Sequence, residues 1–361
     1  MFRFDRQRQT LTLKGITYPP GELLEIGRLH AAARPAFEQD LFRFLAEWFS
    51  PSAEITVHTS GSTGEPKPIV VRKEQMMRSA EMTCSVLQLR EKDTALLCLP
   101  LSYIAGKMVV VRALIAGLDL YPVTPSGHPL AGCDVSFRFA AMIPLQVYNS
   151  LQAEEEREKL KRIERLIIGG GAVDGSLRNA LKDFPNPVYS TYGMTETLSH
   201  IALQQLNGAA NGNRYRPLPS VTVSLSDEGT LAVEAPRVND SRLVTNDVAR
   251  IYPDGSFEIL GRKDNIINTG GVKVQAEEVE SRLAAFIDVP FAIASQPHPK
   301  FGEIVVLLIE GDAELPGLNE RMEACLTPYQ VPKKTGRVEK LPLTASGKID
   351  RAAVKRLALT L

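Results

Sequence analysis

The chain has 361 residues, 44% hydrophobic and 23% charged, enough to bury a full core in two or three domains without a disulfide or zinc staple. Its 42 Lys and Arg balance 42 Asp and Glu, which argues against a general polyanion or nucleic-acid binder. No apolar run reaches the roughly 18 residues of a membrane span, the first 15 residues lack the apolar core of a signal peptide, and Cys84, Cys98, Cys133 and Cys325 form no CxxC pair, so a cytoplasmic protein with reduced thiols is expected.

In chain order, residues 1–25 read as a short hairpin ending in Pro19-Pro20-Gly21, and residues 28–50 as a helix carrying the single Trp48. A strand at Ile55–His58 leads into a Gly, Ser and Thr loop, with a helix at about Lys73–Leu89. Strands at Ala95–Leu99, Leu120–Val123 and Leu166–Ile168 alternate with helices at Gly106–Ala116, Gln146–Leu151 and Glu154–Arg165, the pattern of a parallel α/β sheet. After about residue 215, short strands separated by Asp-Glu-Gly and Pro-Asp-Gly turns mark a β-rich subdomain. Beyond Arg262–Asp264 come a helix at Ala276–Phe286, strands at Phe291–Ala294 and Ile304–Ile309, and a further helix with a polar tail. Residues 321–361 hold nine Lys/Arg against three Asp/Glu, a solvated face or an attraction for a phosphate-bearing ligand.

Four stretches carry chemistry. The first, Thr59-Ser60-Gly61-Ser62-Thr63-Gly64-Glu65-Pro66-Lys67, has glycines that let amide N–H groups converge on an anion, four hydroxyl donors and a lysine. It lacks the Gly-Lys-Ser/Thr of a Walker A loop. The others are Ser190-Thr191-Tyr192-Gly193-Met194-Thr195-Glu196-Thr197, Thr245-Asn246-Asp247 with Gly261-Arg262-Lys263-Asp264, and Thr344-Ala345-Ser346-Gly347-Lys348-Ile349-Asp350-Arg351. Each is weak by itself; their order and spacing are specific.

Together they resemble the adenylate-forming superfamily of acyl-CoA synthetases, adenylation domains and luciferases, over residues 58 to 351. The resemblance implies an α/β fold: a large N-terminal domain of mixed and parallel sheets with a β-rich subdomain, residues 1–262, and a small mobile α+β C-terminal domain, residues 263–361. It implies ATP, Mg²⁺ and coenzyme A, an acyl-adenylate intermediate, and a small carboxylic acid as substrate. Thr59, Ser60, Gly61, Ser62, Thr63, Gly64 and Lys67 would surround the β- and γ-phosphates. Thr195 would bond the α-phosphate and Glu196 ligate Mg²⁺. Gly169, Gly170 and Gly171 would approach the adenine on which Tyr192 stacks, and Asp247 and Arg262 would hold the ribose. Lys348 would stabilise charge during adenylation, Asp264 would be the hinge, and Gly270 and Gly271 would border the thiol tunnel.

The acyl pocket is expected around Pro100–Leu114, with Tyr103, Gly106, Arg112, Ser199 and His200. Tyr103 stands where many relatives carry His. Arg112 lies in an otherwise apolar helix, where a lone guanidinium is costly. It could reach solvent, pair with an internal carboxylate, or bind a second carboxylate on the acid. The segments Pro100–Arg112 and Tyr192–His200 look most like the o-succinylbenzoate–CoA ligases of menaquinone synthesis. Another aryl- or acyl-CoA ligase, an adenylation enzyme loading a carrier protein, and a decayed nucleotide-binding protein are the alternatives. Only 57 residues precede His58, so an N-terminal layer is expected to be reduced, and a homodimer is one way to close the pocket.

Overall fold

A computed structural model describes residues 2–29, 35–58, 68–208, 212–343 and 349–361. The chain forms two units, the first from residues 1–173, 177–222 and 234–242, the second from 174–176, 223–233 and 243–361. No helix among the described residues is long and apolar enough to cross a membrane.

In the first unit, β1 (Leu11–Leu13) and β2 (Ile16–Tyr18) pair antiparallel around Lys14 and Gly15, both at positive φ, as a two-residue turn between twisted strands requires. The helical stretch expected over 28–50 is instead α1 (Pro20–Leu29) and α2 (Ala36–Phe49), with Pro35 at the start of α2. The latter buries Phe37, Leu41, Phe44, Leu45 and Trp48, a single stripe at helical spacing. Next, β3 (Glu54–His58) and β4 (Pro68–Arg72) form a separate antiparallel pair, with His58 opposite Pro68, before α3 (Lys73–Val86). The phosphate-loop sequence therefore joins two paired strands, where strand, loop and helix were expected.

The remaining elements of this unit are β5 (Thr94–Leu97), α4 (Ile104–Ala116), β6 (Asp119–Pro122), β7 (Phe139–Met142), α5 (Pro144–Gln152), α6 (Glu154–Arg162), β8 (Arg165–Ile168), α7 (Gly175–Leu181), β9 (Val188–Gly193), β10 (His200–Gln205) and β11 (Arg216–Pro217). Nine strands form one sheet in the order β11-β10-β9-β8-β7-β5-β6-β1-β2. Its middle, from β1 through β9, is parallel, and β2, β10 and β11 run antiparallel to their neighbours. Helices cover a parallel sheet, so its strands read as continuous apolar runs. One core cluster joins Leu96, Ala140, Met142, Leu166, Ile168 and Val188.

The second unit holds β12 (Thr222–Leu225), β13 (Thr230–Glu234), β14 (Leu243–Ile251) and β15 (Phe257–Arg262) as one four-stranded sheet. It continues with β16 (Ile266–Thr269), β17 (Val272–Gln275), α8 (Ala276–Leu283), β18 (Phe291–His298), β19 (Gly302–Glu310), α9 (Leu318–Cys325), β20 (Lys334–Val338) and α10 (Arg351–Ala358). These strands pair in the order β17-β16-β19-β18, with β20 on β19. Alternation along β18 and β19 serves two cores. Ile293, Val305, Leu307 and Ile309 join α8 and α9, while Ala292, Ala294, Val306 and Leu308 join α10.

Candidate active site

Among the described residues, most of those expected in the first unit fall where parallel strands end at their carboxyl termini, the usual ligand crevice of open α/β sheets. After β5 the chain reaches Tyr103, which precedes α4, and Gly106 in the first turn of that helix. A Cβ at Gly106 would lie 2.4 Å from the Pro100 carbonyl oxygen, so only glycine lets the helix start so close to its own entry loop. After β8 come Gly169, Gly170 and Gly171. The Gly169 N–H donates to Met142 O at 3.0 Å, and a Cβ there would lie 2.5 Å from Thr191 Oγ1. After β9 come Tyr192, whose ring lies 5.7 Å from that of Tyr215, and Gly193.

The next turn aims the acid-side residues. Thr195–Thr197 is a single 3₁₀ turn, and Thr197 Oγ1 accepts from Met194 N at 2.9 Å and donates to a carbonyl, with Ser199 O at 2.8 Å. Leu198 follows at φ 65°, a conformation costly for a bulky residue and held here by burial. Gly193 lets the returning chain pass, since a Cβ would stand 2.4 Å from Ser199 O. A register shift between His200 and Ala202 completes the bend. Thr195 is buried and Glu196 exposed, with the Glu196 carbonyl bonded by Asn239 Nδ2 at 2.9 Å.

Arg112 of α4 is 2% exposed, so it does not reach solvent. Its Nη2 donates to Ser199 Oγ at 2.6 Å and lies 3.4 Å from Thr83 Oγ1 of α3. Among the described residues its hydrogen-bond partners are hydroxyls, no carboxylate bonds it, and its Nε has no partner. Burial pulls the guanidinium down to about 10. His200 bridges the same hydroxyls, with Nδ1 3.3 Å from Ser199 Oγ and Nε2 3.2 Å from Thr83 Oγ1. Burial first, then the charge of Arg112, holds its pKa well below the usual imidazole range. Burial also pushes the neighbouring Cys84 thiol up to about 12.

In the second unit, Asp247 on β14 stands opposite Arg262 on β15, with Arg262 Nη1 3.3 Å from Asp247 Oδ1. Arg262 Nη2 reaches Asp264 Oδ2 at 3.1 Å, and Asn246 Nδ2 reaches the same oxygen at 3.2 Å. Gly261, at φ 151°, leaves room for the Gln275 amide, which would be 2.2 Å from a Cβ and donates to Arg262 O at 2.8 Å. Gly270 and Gly271, both at positive φ, make the two-residue turn between β16 and β17.

Thr59, Ser60, Gly61, Ser62, Thr63, Gly64, Lys67 and Lys348 lie outside the described residues. The stem flanking Lys348 is described: Leu343 bridges Ile349, Asp350 N donates to Pro342 O at 2.9 Å, and Asp350 Oδ1 caps α10 through Ala353 N. Two groupings thus exist, Arg112 with Ser199 and His200 in the first unit and Asp247 with Arg262 and Asp264 in the second. Sequence reasoning missed Thr83, Thr197 and Asn239. The only local signal for Thr83 is Ser79 one turn earlier, two hydroxyls on the buried face of α3.

The AMP-binding enzyme family matches residues 29–239. A 2-succinylbenzoate–CoA ligase of Listeria monocytogenes serotype 4b (strain F2365) is 26% identical over 333 residues, covering 86% of this chain and 71% of that protein. An acyl-CoA synthetase (AMP-forming)/AMP-acid ligase II-like protein from Dyadobacter fermentans DSM 18053 is 34% identical with a TM-score of 0.62, covering 89% of this chain and 94% of that one. O-succinylbenzoate coenzyme A synthetase (MenE) from Bacillus subtilis, in complex with ATP and magnesium ion, shares the fold with a TM-score of 0.68 at 23% identity, covering 82% and 68%. With the motifs, the parallel-sheet crevice and a family match over more than half its length, this chain belongs to the AMP-binding enzymes, as an AMP-forming ligase of an acid to a thiol.

Proposed function

We propose that this ligase activates o-succinylbenzoate with ATP and transfers the acyl group to coenzyme A. A carboxylate oxygen attacks the α-phosphorus and pyrophosphate leaves. The thiol sulfur, losing its proton, then attacks the acyl carbon and AMP leaves. The observation that carries the choice of acid is Arg112, a buried guanidinium whose partners among the described residues are hydroxyls. An acid with two carboxylates can have one activated and the other anchored there, arriving by way of half-buried Ser199. The name carried by the Listeria relative supports the same acid.

Anion on anion is the difficulty of the first step, so charge must be neutralised and geometry fixed. Thr59–Gly64 and Lys67 would hold the β- and γ-phosphates, Thr195 the α-phosphate, and Lys348 the charge that develops there. Gly169–Gly171 and Tyr192 would flank the adenine, and Asp247 would accept from ribose hydroxyls beside Arg262. Among the described residues no three His, Cys, Asp or Glu side chains cluster to cage a metal. A lone exposed Glu196 suits Mg²⁺, which takes one or two carboxylates and completes its shell with phosphate and water oxygens. That ion would neutralise phosphate charge. For the second step we place the pivot at Asp264, between residues 1–262 and 263–361, so that rotation withdraws Lys348 and brings Gly270 and Gly271 to the thiol.

Pyrophosphate exchange over a panel of acids is the test. Exchange with o-succinylbenzoate, followed by thioester formation with free coenzyme A, is expected. Exchange only with another aromatic acid would replace the substrate, and transfer only to a carrier protein would replace the acceptor.

A further inference from the structure

We infer that Thr83, His200 and Ser199 form a directional hydrogen-bond relay in which His200 carries its proton on Nε2 and acts as a positioning residue for Arg112. The inference rests on the proposed role of Arg112 in the acid site, but its geometry is independent of which acid binds.

The direction follows from counting donors. Arg112 can only donate, so Ser199 Oγ accepts from Nη2 at 2.6 Å. The single Ser199 hydroxyl proton then points away from the guanidinium, and the acceptor it meets is His200 Nδ1 at 3.3 Å. An accepting Nδ1 leaves the ring proton on Nε2, which donates to Thr83 Oγ1 at 3.2 Å. Thr83 Oγ1 in turn spends its own proton on Ser79 O, one helical turn earlier, at 3.3 Å. Its remaining lone pair faces Arg112 Nη2 at 3.4 Å. Every proton in the loop has one destination.

A second ring proton would break this order. It would set an Nδ1–H against a hydroxyl already accepting from Arg112, beside the guanidinium charge. Arg112 is the charged group acting on the ring, Cys84 of α3 sits next to Arg112 as a protonated thiol, and Glu81 of the same helix is bonded by Arg237. His200 is therefore a fixed spacer, built into β10 by the bend at Leu198, and not a group that titrates during turnover. Both ends of the relay lock Nη2, while Nε keeps no partner among the described residues. The relay orients the guanidinium and leaves a donor for an anion.

Nitrogen-detected NMR of the histidine rings in the full chain, without ligand, reads the tautomer directly. His200 is expected to show a protonated Nε2 and a bare Nδ1, unchanged from about pH 5.5 to 8. Thr83→Val should raise the KM for o-succinylbenzoate about tenfold and mix the tautomers, with the KM for ATP unchanged, and Thr83→Ser should restore both. A ring protonated on Nδ1, or one that titrates near its ordinary range, would overturn the relay, even if no variant folds. So would a Thr83→Val enzyme in which the tautomer and both KM values stay put, or in which both KM values rise together. Failure of every acid to support exchange would instead remove the proposed substrate, and the ring spectrum would still decide the relay.

Discussion

The two groupings of polar residues solve opposite problems. In the first unit, Arg112, Ser199 and His200 are buried or half-buried, and among the described residues the guanidinium has hydroxyls for hydrogen-bond partners while its Nε has none. In the second, Arg262 and Asp264 have half-exposed side chains, and Arg262 forms ordinary ion pairs with Asp264 and with Asp247 on the facing strand. A buried charge without a counter-charge destabilises the fold and is retained only where something else requires it. An exposed ion pair contributes little either way. On the function we propose, the first cluster is held in readiness for a charged ligand, while the second serves uncharged hydroxyls.

Four changes break or sharpen that contrast. The largest effect is expected outside both clusters, at Lys348→Ala, where adenylation should fall by about 100- to 1,000-fold while thioester formation from supplied acyl-adenylate is spared. Equal loss in both half-reactions would remove the role given to that lysine. Arg112→Met should cost about 100-fold in kcat/KM for o-succinylbenzoate, because a desolvated charge pair is lost. The same variant should melt no lower than the parent, and by about 1–3 kcal/mol higher in stability, since an apolar side chain replaces a buried charge. A lower melting temperature would mean that Arg112 is a structural cation. Asp247→Asn should raise the KM for ATP about tenfold and change stability by about 1 kcal/mol or less, the reverse balance.

The smallest effect is a pH dependence. Folding depresses the pKa of His200, so the unfolded chain takes up a proton first as pH falls below the ordinary value of 6.5. Stability should therefore decline below about pH 6.5 and be indifferent to this ring above about pH 7.5. Thermal melts of the parent and of His200→Asn should diverge at pH 7.5 and converge toward pH 5.5. Parallel curves would show that the ring keeps the same pKa folded and unfolded, and a parent that gains on the variant as pH falls would show a ring protonated in the fold.

How much was legible varied with the range of the interaction. The parallel strands at β5, β6 and β8 were readable because burial on both faces writes an unbroken apolar run. So were the turns at Gly229 and Gly255, whose positive φ a Gly satisfies at no steric cost. The strand β7, Phe139-Ala140-Ala141-Met142, was not read, since two alanines in four residues have no strand preference of their own and only the sheet on both sides fixes them. Nor was β4, whose pairing with β3 depends on a partner ten or more residues away.

The sequence by itself determined the class of chemistry through a resemblance: four motifs, each weak alone, match the adenylate-forming superfamily in their order and spacing. It also identified Arg112 as the odd residue of an apolar helix. What it left open was whether that arginine reached solvent, paired with an internal carboxylate or bound a second carboxylate on the acid. Only the tertiary structure removed the first and, among the described residues, the second, by packing α4 between the sheet and α3 and bringing Thr83 and Ser199, 29 residues before and 87 after, onto one guanidinium. Desolvation is set by every neighbour at once, and no spacing along a chain encodes it.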